Sequence, residues 1–151
     1  MNLNELRDKA YRNAVTHGFH DEELSNEHCL CLVISELMEA VKADRKGRFA
    51  KVPVDKKGTI FDERTFHYQN KYFAENFETY IKDCVEDELA DACIRLLDLA
   101  GLRNISIDDF SGEMIYEATE SCNNETFTES IYAISTIPIR CEYEYDSLLE
   151  N

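Results

Sequence analysis

Two phrases constrain this chain more than any other feature. Ile34-Ser35-Glu36-Leu37-Met38-Glu39-Ala40 and, further on, Glu86-Asp87-Glu88-Leu89-Ala90-Asp91-Ala92 both contain Glu-Leu-x-acid-Ala, with the two acids three positions apart. On a helix, residues three apart share a face, so each phrase sets two carboxylates side by side. Two such pairs facing each other repel unless a cation lies between them, which is a divalent-metal site in outline.

The chain around the phrases reads as helices. Residues 3 to 17 carry Leu3, Leu6, Ala10 and Ala14 at helical spacing after an Asn2 or Asn4 cap, and stop at Gly18. A second helix is expected from about Asn26, capped by Ser25, to Lys46, ending near Gly47. Its stripe is Leu30, Val33, Ile34, Leu37 and Val41, with Cys29, Leu32, Ala40 and Ala43 continuing round the side. Glu36 is turned about 100° from Leu37 and falls among those side residues, with Glu39 slightly further round.

A third helix is expected over roughly Tyr68 to Ala100, with room for a break near its start, ending at Gly101, with Val85, Leu89, Ala92, Cys93, Leu96 and Ala100 as its core stripe. Glu88 and Asp91 sit off that stripe by the same angles as Glu36 and Glu39 sit off theirs. Carboxylates beside an apolar surface are costly unless paired or coordinated. A lone pair of this kind reads as surface glutamates; its repetition at one angular offset favours a shared site.

Between the phrases, residues 47 to 66 break the helical pattern with Gly47, Pro53 and Gly58. A basic loop or short hairpin is expected there, pairing Val52-Pro53-Val54 with Thr59-Ile60-Phe61. Lys42, Arg45, Lys46, Arg48, Lys51, Lys56 and Lys57 put seven of the sixteen basic residues in and beside this arm. An aromatic run follows (Phe66, His67, Tyr68, Tyr72, Phe73, Phe77, Tyr80), mostly core material by its spacing, with a member available to stack on a nucleobase. Further helices are expected near Gly112–Ser121 and Glu125–Ser135, the last burying Phe127, Ile131 and Ile134, and the tail from about 138 to 151 is expected to be extended or disordered. The whole reads as a single all-α domain, an antiparallel helical bundle over residues 1–151.

Acidic residues outnumber basic ones 31 to 16, a formal charge of -15, which argues against general binding to nucleic acid or an anionic membrane. The start lacks a basic segment leading into an apolar run, so a cytoplasmic protein is expected. The six cysteines form no CxxC and read as small buried apolar groups. The His20-Asp21 doublet is similar to the metal pair of HD phosphohydrolases but lacks the further His and Asp such a site requires.

Four carboxylates suit Mg²⁺, with Mn²⁺ as the alternative, because hard cations take oxygen ligands. Di-iron bundles also pair glutamates but add a Glu-x-x-His motif on two helices, and neither phrase supplies that histidine. Glu36-x-x-Glu39 followed by Glu88-x-x-Asp91, with the run Asp87 to Gly101, resembles the signature of the MazG-like all-α nucleoside triphosphate pyrophosphohydrolases. The likeness spans roughly residues 25 to 101. It departs at Ser35, where the family carries a glutamate, and in the longer gap between the pairs.

The resemblance implies a MazG-like bundle, a homodimer or homotetramer, that hydrolyses a nucleoside triphosphate to monophosphate and pyrophosphate with Mg²⁺. Glu36, Glu39, Glu88 and Asp91 would be metal ligands, and Glu39 or Glu36 would orient the attacking water. Lys42, Lys46 and Arg95 are candidates for phosphate contact. The alternative expectation is a non-catalytic helical protein of the same fold that binds nucleotide or metal.

Overall fold

Asn2 opens the first helix in the way its short amide allows, its side-chain oxygen accepting the Glu5 N–H at 3.1 Å. This is a computed structural model, and it describes residues 2–52, 54–55, 58–59, 71–107, 112–120, 122 and 126–137. Helix α1 covers Leu3–Thr16 and gives way at Gly18, whose φ of 77° is the left-handed conformation that glycine takes without steric cost. Helix α2, Asn26–Arg45, is capped by Ser25 Oγ accepting from His28 N–H and closes before Gly47, φ 64°.

The third expected helix is two helices: α3, Lys71–Tyr80, and α4, Val85–Leu102. Asp83 breaks them by adopting φ 55°, a conformation that short polar side chains tolerate, and its N–H donates to Asp87 Oδ2 at 2.9 Å. The break is held from outside. Lys51 N–H donates to Tyr80 O and Val85 N–H to Arg48 O, so the root of the arm supplies the backbone partners that a continuous helix would have made itself. Helix α4 also runs one residue past Gly101. Helix α5 covers Gly112–Glu120, and α6 covers residues 127–137. Among the described residues these six helices make the fold all-α. The strand pairing among the described residues is one short antiparallel ladder, Val54 with Thr59 and Asp55 with Gly58, inside the arm. The positions of Pro53, Lys56, Lys57, Ile60, Phe61, Phe66, His67 and Tyr68 and of the tail beyond 137 lie outside the described residues.

Helices α2 and α4 pack antiparallel. At one end Arg103, past the end of α4, donates to Asn26 Oδ1 and Leu24 O; at the other, the first residue of α4 bonds the chain just after α2. Helix α1 lies against α4 in the same reversed sense, with Arg7 donating to Ile105 O and Tyr11 packed on Gly101. The core joins Val33 and Leu37 of α2, Ala92 of α4 and Ile131 of α6, with Val41, Leu89 and Phe127 packed around them. Burying a side chain such as Leu37 contributes about 1.5–3 kcal/mol.

The stripe expected on α4 is rotated. Cys93 and Leu96 are exposed, and the face toward α2 runs through Val85, Glu88, Leu89, Ala92 and Arg95. Turning α4 this way moves Glu88 from the margin of the contact into it, while Asp91 stays exposed beside it. Ile134 is also exposed, because α6 meets the core through Phe127 and Ile131. Cys29, Cys84 and Cys122 are buried as expected of small apolar groups, whereas Cys31 and Cys93 are exposed.

Candidate metal centre

The antiparallel pairing brings the two phrases level. Glu36 from α2 and Glu88 and Asp91 from α4 each present an oxygen within 4.8 Å of the others. Glu36 is enclosed, its side chain 14% exposed, and it accepts a hydrogen bond from Arg95 Nε at 2.5 Å. Burial, followed by the charges of Asp87, Glu36, Glu39 and Asp91, pushes the Glu88 carboxyl above its ordinary pKa. Burial and then Asp87 and Glu36 do the same to Asp91, with Arg95 opposing them. The site therefore holds more negative charge than Arg95 neutralises.

Glu39, expected as the fourth ligand, does not join this group. It is exposed and accepts from Lys42 Nζ at 2.7 Å, one turn along the same helix. Its charge still acts on Glu88, so it borders the site without converging on it. Ser35 is exposed and its hydroxyl donates to Leu32 O at 2.7 Å, so it folds back on its own helix. Lys42 and Lys46 line a cavity of about 170 Å³ together with Glu39, Arg48 and Glu88. Arg95, expected at phosphate, is the counter-ion of Glu36 in this state.

Asp87 was not singled out in the sequence, yet after burial its charge does most to raise both Glu88 and Asp91. The signal was present as spacing: Asp87, Asp91 and Asp98 stand four and seven residues apart, a single acidic row on α4. Asp98, at the end of that row, accepts a hydrogen bond from His20 Nε2 at 2.8 Å. His20 thus pairs across the fold with Asp98, and the His20-Asp21 doublet does not act as a unit.

Three carboxylates are hard oxygen donors, and their mutual repulsion is relieved by a divalent cation of the Mg²⁺ or Mn²⁺ type, so the residues fit such an ion. A helix-borne cluster with basic groups at its border can hold a metal and a phosphate chain together. No protein-family model matches the chain. No curated protein and no solved structure matches it either. Among the described residues, no helix is long and apolar enough to cross a membrane.

Proposed function

We propose that the chain is a metal-dependent nucleotide pyrophosphohydrolase with a MazG-like bundle, cleaving a nucleoside triphosphate to monophosphate and pyrophosphate. The observation that carries this reading is the convergence of Glu36, Glu88 and Asp91 from two antiparallel helices. The resemblance of the two phrases to the family signature supplies the reaction. Glu36, Glu88 and Asp91 would hold Mg²⁺, which supplies charge neutralisation on the phosphate oxygens and a lowered pKa for the attacking water.

The remaining roles belong to side chains. Glu39, exposed at the border and separate from the converged oxygens, orients the water as a general base. Arg95 holds Glu36 in place and offers its remaining N–H groups to phosphate. Lys42 and Lys46 bind the polyphosphate from the end of α2. The charge of -15 makes these local cations and the metal the means of admitting an anionic substrate.

The test is a panel of ribo-, deoxy- and modified nucleoside triphosphates with Mg²⁺, read for pyrophosphate against orthophosphate. Pyrophosphate release from a panel member, lost in Glu88→Gln, is expected; no release from any of them overturns the reading. The alternative, a nucleotide-binding protein without turnover, draws on Ser35, which stands where the family has a glutamate and bonds back to its own helix. Tight binding without release selects it.

A further inference from the structure

Glu88 stands on a helix start that its own sequence leaves unfinished. The first N–H groups of a helix have no partner within it, and a side chain at the N-cap commonly takes one of them. Cys84 holds that place in α4 and makes no side-chain cap bond. The first bond closed within the helix runs from Glu88 N–H to Cys84 O, at 3.1 Å, so this acid of the triad stands on the first closed turn. Helix ends fray, and a carboxylate on a frayed turn has no fixed direction.

The arm root holds that turn from outside. Arg48 accepts from Val85 N–H through its carbonyl, while its own N–H donates to Ala43 O, each at 3.0 Å. The backbone of one residue thus ties the end of α2, the helix of Glu36, to the start of α4, the helix of Glu88 and Asp91. Further along the root, Ala50 N–H donates to Glu86 Oε2 at 2.8 Å. An acid in the first turn ordinarily favours its own helix end. Glu86, exposed in that turn, directs its carboxylate to the arm instead, beside the buried Cys84 thiol.

Resting on the metal centre of the proposed function, we infer that Glu86 is a positioning residue for that centre: by holding Ala50 it keeps the arm root on α4, and the root keeps Glu88 level with Glu36. Glu86 acts through Ala50 and Arg48 and not by contact with the ion. The oxygens of Glu36, Glu88 and Asp91 lie within 4.8 Å of one another in the alignment that α2 and α4 have here. A misplacement of about 1 Å, caused far from the chemistry, is enough to spoil such a geometry.

Calorimetric titration of the full chain with Mn²⁺, beside urea denaturation, tests this role. Glu86→Ala is expected to weaken Mn²⁺ binding about tenfold, the scale on which groups that orient metal ligands act. Glu86→Gln keeps an acceptor oxygen and drops the charge, and is expected to stay within about twofold of the parent chain, which separates the bond to Ala50 from a simple loss of negative charge. Ala50→Pro removes the donor of the same bond and is expected to match Glu86→Ala, with the double variant no weaker than either. Gly101→Ala, which strains the far end of α4 against Tyr11, is expected to lose stability and keep the parent affinity. A Glu86→Ala chain that is less stable yet binds Mn²⁺ as the parent does, a Glu86→Gln chain as weak as Glu86→Ala, or a parent chain that binds no Mn²⁺ overturns the inference. Pyrophosphate release is read separately: the affinity pattern without any turnover sinks the hydrolase reading and leaves the positioning role standing, and turnover with unchanged affinity in Glu86→Ala does the opposite.

Discussion

Glu88 and Asp91 have raised pKa values chiefly because the fold strips water from their carboxyls, and next because acids surround them. Their folded state binds protons more tightly than the unfolded chain does. Their contribution to stability is therefore fully present below the ordinary carboxylate pKa and is lost as pH rises through the raised one. A divalent cation competes with those protons, so in thermal melts between about pH 4 and 8 the stabilisation by Mg²⁺ over EDTA should grow across the same interval. A Mg²⁺ shift that is absent, or flat with pH, would remove the case for this metal site. Neutralising one acid gives the complementary result. Glu88→Gln and Asp91→Asn should raise metal-free stability, by up to about 1 kcal/mol, while lowering pyrophosphate release by about 10²-fold or more. Loss of both stability and activity would mark these acids as ordinary structural groups. Three of the four phrase acids were legible because spacing alone sets their angle on the helix. The position of Glu39 was not, since Lys42 one turn on competes for the same carboxylate and spacing does not say which partner it takes.

Helix ends with local causes were legible: Asn2, Ser25, Gly18 and Gly47 act within a turn of themselves. The break at Asp83 was hidden because its causes are remote, namely backbone bonds from residues 48 and 51 in the arm. The rotation of α4 was hidden for a similar reason. Apolar spacing puts Leu89 and Leu96, seven residues apart, on one stripe, and only the partner helices decide that Leu89 packs on the core while Leu96 stays exposed. Gly101 shows the same dependence on a neighbour. Read alone it is a helix stop, but it lies within α4, and a Cβ there would stand 2.5 Å from Tyr11 Cβ on α1. Alanine would gain about 1 kcal/mol of helix preference over glycine. The contact outweighs that gain, because a Cβ cannot swing away as a flexible side-chain end does and the two helices must part. Gly101→Ala should lower stability by about 1–2 kcal/mol net in urea denaturation, and Gly101→Val by more. Unchanged or increased stability in the alanine variant would place α1 further from α4 than it is here.

The described helices leave much apolar surface to the solvent for a chain of this length. Among the described residues no large side chain is fully buried, while Ile94, Leu96 and Met38 stand 50%, 46% and 44% exposed on the two helices that carry the acids. A 150-residue domain commonly buries about 68–70% of the surface of its unfolded chain, and scattered exposed leucines need no explanation. Several on the central helix pair are a different matter, because that pair is the rigid element on which a second copy would gain most by packing. If these residues served the homo-oligomer that the resemblance implies, the interface would be on the order of 1,200–2,000 Å² in total. Sedimentation equilibrium should return a multiple of 17.5 kDa at micromolar concentration, and the melting temperature should rise with protein concentration. Leu96→Glu, which places a charge on that surface without touching the core or the triad, should shift the mass toward the single chain and abolish the concentration dependence. A 17.5 kDa species in the parent chain, with a melting temperature independent of concentration, would mean that these residues stay in water and that each site is built from one chain.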